Sequence, residues 1–172
     1  MIVTAAETLV VERIESPVGV LLAGATLRGV CLLEFTEPER LETQLASIRR
    51  HYSSEIVNGT NGHLKKLSTE LVEYFAGERR EFSVPLEIVG STFQRRVWQE
   101  LRVIPYGETR SYEDIAISVG SPKAVRAVGT ANGSNRIAIV IPCHRVINKG
   151  GKLGGYGGGL DRKKYLLELE RR

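Results

Sequence analysis

An α+β fold is predicted: a small mixed α/β unit over residues 1–89, then a mostly helical unit over residues 90–172 that contains a helix-turn-helix. Three observations carry this. β-branched and aliphatic runs crowd the start of the chain, apolar residues recur at helical spacing through most of the remainder, and the charge changes sign at Gly90. Residues 1–89 hold 9 Lys+Arg against 13 Asp+Glu, a net charge of −4, whereas residues 90–172 hold 15 against 7, a net of +8. A basic half on an otherwise ordinary chain is the footprint of a polyanionic partner, although basic faces without one are common. With 172 residues, 42% hydrophobic and 26% charged, the chain can bury a real core, which excludes disordered, collagen-like and disulfide-framed classes. The longest apolar run, residues 137–142, is far below the ~20 residues of a bilayer span. No charged-then-apolar leader opens the chain, so a cytoplasmic location with no membrane partner is expected.

In the first unit, residues 8–14 and 19–23, separated by a Ser16-Pro17 turn, and residues 27–35 read as a meandering sheet. Residues 38–50 and 64–75 read as helices. The second presents Leu64, Leu67, Leu71, Val72 and Phe75 on one face and stops at Gly77. Residues 84–89 form a short extended segment leading to Gly90-Ser91. Cys31, His51 and His63 have no metal-ligand spacing, so no metal site is expected.

The second unit opens with a packing helix over residues 93–103, striped by Val97, Leu101 and Ile104 with Trp98 beside them. Ser111-Tyr112-Glu113-Asp114 has the form of a capping box, and the short helix it starts stops at Gly120. Ser121 as N-cap and Pro122 at the first helical position restart the chain for a helix over residues 123–131. Two short helices across a tight turn describe a helix-turn-helix. In the second, Ala124, Ala127 and Ala131 make a face of small residues, Val125 and Val128 can point inward, and Lys123 and Arg126 supply charge. Small side chains belong where a backbone must come close to another helix or to a DNA groove, and the two cations favour DNA.

Residues 137–141 form an apolar run short enough for a buried strand, which would deliver Pro142-Cys143-His144-Arg145-Val146 at its end. A lone cysteine is most often a small buried hydrophobe. Imidazole and guanidinium neighbours reverse that weighting, because they favour the thiolate, the nucleophilic form. Residues 148–159 then hold seven glycines around Tyr156, a loop able to bring backbone N–H groups to a ligand. It lacks the Lys-Ser/Thr ending of a phosphate-binding loop. In the last helix Asp161 is the expected N-cap, Tyr165, Leu166 and Leu169 face a core, and Glu170 alone would read as a solvated carboxylate.

Pro142-Cys143-His144-Arg145-Val146, preceded by Arg126-Ala127-Val128-Gly129 and Asn135 and followed by Gly155-Tyr156 and Leu166-Leu167-Glu168-Leu169-Glu170, closely resembles the O6-alkylguanine-DNA alkyltransferases. Trp98, Pro105-Tyr106-Gly107 and Ser111-Tyr112 fit the same pattern. The resemblance is ordered over residues 90–170 and only one of length and layout before that. It implies a ribonuclease-H-like first domain, a winged-helix-like second domain and direct-reversal repair of O6-alkylguanine, and leaves activity on O4-alkylthymine open.

The resemblance also implies roles. Cys143 attacks the alkyl carbon, His144 takes the thiol proton through a water, and Glu170 orients His144, the general pattern of an activated nucleophile. Tyr112 serves guanine N3, and the carbonyls of Cys143 and Val146 accept from the exocyclic amine. Arg126 fills the stack vacated by a flipped nucleotide. Lys123, Ala127 and Ala131 lie along the groove, Asn135 is the hinge between recognition helix and cysteine loop, and Tyr156 and Gly157 line the base pocket. The partner is double-stranded DNA containing alkylated bases. No cofactor and no obligatory protein partner are implied, and the protein is expected to be a monomer, with cooperative binding on DNA left open. Gly157 departs from the serine many relatives carry, which keeps the backbone donor but changes loop mobility. Rival readings are a non-catalytic module that recognises alkylated DNA, a Cys-His-Glu hydrolase and a plain helix-turn-helix regulator.

Overall fold

The structure, a computed structural model, describes residues 8–52 and 55–172. The first half builds a four-stranded sheet of β1 (Leu9–Ile14), β2 (Leu21–Ala25), β3 (Val30–Phe35) and β4 (Ile56–Asn58), in the order β3-β2-β1-β4. β1–β2 and β2–β3 are antiparallel, and β1–β4 is parallel. Every residue of β2 and β3 is buried, because the sheet is covered on both faces. Helix α1 (Pro38–Tyr52) packs Ile48 over Leu9, Val11, Leu22, Cys31 and Leu32. Helix α2 (Gly62–Phe75) packs Leu64, Leu67, Leu71 and Tyr74 over the other face. That face belongs to one continuous core with Val97, Trp98, Ile115, Val128 and Leu166 of the second half.

The expected meander is present, but one reading changes. The core stripe of α2 runs through Leu64, Leu67, Leu71 and Tyr74, while Val72 is 67% exposed. The segment of residues 84–89 runs beside β3 through a single parallel bridge from Val30 to Leu86, with Pro85 supplying only its carbonyl to the Val30 N–H.

The second half places α3 (Thr92–Arg102), α4 (Tyr112–Ser118), α5 (Val125–Gly133) and α6 (Leu160–Glu170) around a two-stranded parallel ribbon of β5 (Arg110–Ser111) and β6 (Val146–Ile147). Capping boxes open α3, through Ser91 and Gln94, and α4, through Ser111 and Asp114. Gly90 abuts the Trp98 ring so closely that a Cβ there would collide with it.

Other expectations fail for identifiable reasons. Ser121 does not cap α5; its carbonyl accepts the Ala124 N–H in a separate turn, and α5 begins at Val125 without a side-chain cap. Val125 is consequently 38% exposed, and only Val128 is buried. Asp161 lies inside the first turn of α6, whose cap is Gly159 at φ +91°. Residues 137–141 are not a strand. Ile137 bridges Leu33, and the chain then coils tightly through Ile139 at φ +72°, with the Ile141 N–H on the Ile137 carbonyl at 3.0 Å. The run is apolar because all of it except half-buried Val140 is buried, a property that periodicity cannot separate from a strand.

Candidate active site

The coil after Ile137 ends in a 3-10 turn, Cys143–Arg145, which seats the predicted nucleophile at 4% exposure. Asn135, wholly buried, donates from Nδ2 to Cys143 Sγ at 3.1 Å and to the Ile141 carbonyl at 2.8 Å, while its Oδ1 accepts the Ile137 N–H at 3.0 Å. It thus ties both ends of the coil to the thiol. Burial pushes the Cys143 thiol up, and the hydrogen bond from Asn135 opposes that shift. The anticipated guanidinium beside the thiol is elsewhere: Arg145 points its Nε at Glu170 Oε1 (2.8 Å) and its Nη2 at Oε2 (3.1 Å).

Glu170, from the last turn of α6, is buried and not solvated. Its Oε2 also meets His144 Nε2 at 2.7 Å and the Tyr74 hydroxyl at 2.6 Å. Burial would raise its carboxyl, but the hydrogen bonds from His144 and Arg145 and the guanidinium's charge outweigh that and hold it far below the usual carboxylate range. An ionised Glu170 accepts, so Nε2 of His144 carries the hydrogen and Nδ1 keeps its lone pair. Nδ1 is buried and has no hydrogen-bond partner among the described residues. Burial lowers His144, with Glu170 opposing, so the ring is held neutral as a base requires.

A second cluster forms the wall beside the thiol. Lys163 of α6 is fully buried and directs Nζ to three carbonyls, Val146 (2.6 Å), Gly155 (3.1 Å) and Leu153. Burial pulls its ammonium down to about 8. Tyr112, at the start of α4, donates its hydroxyl to the Gly155 carbonyl at 3.4 Å; burial and the nearby Cys143 raise its phenol. Tyr156 packs edge-on against Phe35 at 6.0 Å, and burial with the neighbouring Cys143 raises it further. Gly157 lies against Arg40 of α1, where a Cβ would strike the guanidinium. The Val146 carbonyl already holds Lys163, and the Cys143 carbonyl accepts from the Val146 N–H and from Asn132 Nδ2 at 3.4 Å, so the first could serve a base only through its second lone pair and the second only by releasing one of its donors.

Lys123, in the turn before α5, and Arg126 and Ala127 on that helix are apart from this centre and exposed, and they line an open groove with Phe93 and Thr130. The face of alanines divides there. Ala127 looks outward, but Ala131 is 3% exposed and its carbonyl takes the Trp98 Nε1–H at 2.8 Å, so it packs rather than presents. Among the described residues no group of three or more His, Cys, Asp or Glu could hold a metal ion. Sequence reasoning missed Tyr74, Arg145's pairing with Glu170, and Lys163. The available signal for Tyr74 was its place in the 64, 67, 71, 74 spacing, since a core tyrosine needs a polar partner.

Over 164 residues the chain is 48% identical to the methylated-DNA--protein-cysteine methyltransferase of Mycobacterium tuberculosis (strain ATCC 25618 / H37Rv), covering 93% of this chain and 91% of that one. The chain belongs to this methyltransferase family. The family profile described as 6-O-methylguanine DNA methyltransferase, ribonuclease-like domain matches residues 9–88, and the one described as its DNA binding domain matches residues 92–172. A methyltransferase of the same name from Mycolicibacterium paratuberculosis is 66% identical over 103 residues, which is 60% of this chain and 62% of that relative. The fold superposes on the crystal structure of Mycobacterium tuberculosis OGT in complex with DNA with a TM-score of 0.81 and 44% identity, covering 95% of this chain and 92% of that one. The O6-methylguanine-DNA methyltransferase of Pyrococcus kodakaraensis strain KOD1, at 24% identity and a TM-score of 0.66, shares the fold.

Proposed function

We propose that this methyltransferase repairs DNA by direct reversal, moving the alkyl group of O6-alkylguanine irreversibly to Sγ of Cys143. The observation that carries the assignment of roles is the His144–Glu170 contact of 2.7 Å, which leaves Nδ1 of a neutral imidazole as the proton acceptor. His144 takes the thiol proton, the sulfur forms its bond to the alkyl carbon, and the carbon–oxygen bond breaks with its electron pair going to guanine. Tyr112, whose raised phenol stays protonated, supplies a hydrogen bond at N3 of the departing base. Asn135 holds a donor on the sulfur throughout. The thioether product has no route back to a thiolate, so each molecule acts once and needs no cofactor.

The target atom lies inside a duplex, and turning the nucleotide out costs a few kcal/mol of stacking. Exposed Arg126 occupies the vacated place, Ala127 lets α5 approach the narrow minor groove, and Lys123 meets phosphate. Tyr156 and the backbone at Gly157 close over the base, and Val146 borders it. The working unit is a monomer on alkylated duplex DNA, in the cytoplasm or on the nucleoid; O4-alkylthymine is the second substrate to test.

The test is to incubate the protein with excess duplex bearing one O6-methylguanine and map adducts by peptide mass spectrometry. One methyl on the peptide holding Cys143, with transfer stopping at one per protein and lost in Cys143→Ala, is the expected result. Tight lesion binding with Cys143 unmodified would replace transfer by recognition alone.

A further inference from the structure

The first half of the molecule reaches the thiol through buried polar groups that take no part in the steps above. Glu34 of β3 is 0% exposed, so its carboxylate has to be paired and hydrogen-bonded where it stands. The Phe35 N–H reaches its Oε1 at 2.9 Å and Arg40 Nε at 3.0 Å, and Gln44 Nε2 reaches Oε2 at 3.1 Å. The same Gln44 nitrogen donates to the backbone carbonyl of Asn135 at 3.0 Å. An amide nitrogen carries two hydrogens. One is directed at the sheet of the first half, the other at the residue whose side chain touches Cys143 Sγ.

Asn135 is therefore held from both ends. Gln44, at 3.0 Å, fixes its peptide, with Arg40 Nη2 on the same carbonyl at 3.4 Å, and Ile137 and Ile141 fix its side chain, leaving the Nδ2–H aimed at the sulfur. We propose that Gln44, anchored by Glu34, is a positioning residue for alkyl transfer, acting through Asn135 to keep a hydrogen-bond donor on the acceptor sulfur. This rests on the reading of Cys143 as the alkyl acceptor. Other groups act on the sulfur from the surrounding elements: Glu34 and Arg40 from β3 and α1, Lys163 from α6, Tyr112 from α4 and Tyr156 from the glycine-rich loop. Gln44 carries no charge, and its hydrogen bonds go to Glu34 and the Asn135 carbonyl rather than to the thiol, so its influence has to pass through Asn135.

Gln44→Met in the full chain removes both donors at nearly equal volume. Two readouts separate positioning from packing: single-turnover methyl transfer from duplex O6-methylguanine, and iodoacetamide modification of Cys143 against pH, located by peptide mass spectrometry without DNA. Transfer should slow by about 10- to 100-fold, the scale of a small misplacement at a reacting centre. The iodoacetamide profile should move to higher pH, because the thiolate loses its donor, with affinity for undamaged duplex unchanged. A wild-type transfer rate would overturn the proposal, and so would slower transfer with an unmoved thiol profile. Should Gln44→Met fail to fold, Gln44→Leu removes the same donors with a different shape and is read the same way. If the wild-type protein takes no methyl on Cys143, the functional reading fails, while the iodoacetamide comparison still decides the relay.

Discussion

Glu170 accepts hydrogen bonds from Tyr74, His144 and Arg145 at once, in a site almost closed to water. Removing one neutral donor from a charged acceptor costs about 1.5–3 kcal/mol; Tyr74→Phe should lower stability in chemical denaturation by that amount and slow transfer by loosening the carboxylate. Glu170→Gln leaves Arg145 buried without a counter-charge and should cost more, about 3–5 kcal/mol. The neutral His144 sets a pH dependence. Burial depresses it below its ordinary 6.5, so on acidification the unfolded chain binds a proton that the folded one refuses. Its contribution to stability is complete above pH ~6.5 and declines as pH falls below that, by at most about 1.4 kcal/mol per pH unit. Glu170, also depressed, contributes above the ordinary carboxylate range and is lost only in strong acid. Melting curves between pH 7 and 5 should slope downward in the wild type and flatten in His144→Gln. The family resemblance singled out Cys143, His144 and Glu170, and the fold brings the last two into contact. Lys163 was not, because lysine is ordinarily a surface residue and nothing beside it in sequence reveals the three carbonyls that surround it.

Among the elements, α5 leaves Arg126 and Ala127, the residues proposed to meet DNA, on an exposed face and packs through Val128 and Ala131. Ala127→Glu should therefore change stability by no more than about 0.5 kcal/mol, while weakening duplex binding in a fluorescence titration by adding an anion where phosphates approach. The helix-turn-helix was legible because capping is local: Ser111 and Asp114 announce α4 and Gly120 ends it at φ +78°. The start of α5 was misread because Ser121-Pro122 satisfies a cap pattern and a turn pattern equally well, and the turn prevailed. The stretch from Ile137 to Ile141 carries no internal mark of its coil, since the constraint that bends it is Asn135, whose bonds are formed across space.

For the whole molecule, the charge contrast between a half of −4 and a half of +8 is a property of composition and was visible at once. Binding dominated by phosphate contacts should weaken linearly in log affinity against log salt, and Lys123→Ala or Arg126→Ala should each reduce that slope by about one. What composition could not disclose is how the first half serves the second, because Tyr74, Glu34, Arg40 and Gln44 meet the site only after folding. Helix termini ordinarily fray, and their amides exchange with solvent long before those of the interior. In α6 the final residue is Glu170, knotted to Tyr74 of α2 and to the turn at His144, so this helix end cannot open without tearing the site. Its closing amides should keep their hydrogens as long as the middle of the sheet does, making the slowest clock in the protein one that runs at the edge of its chemistry.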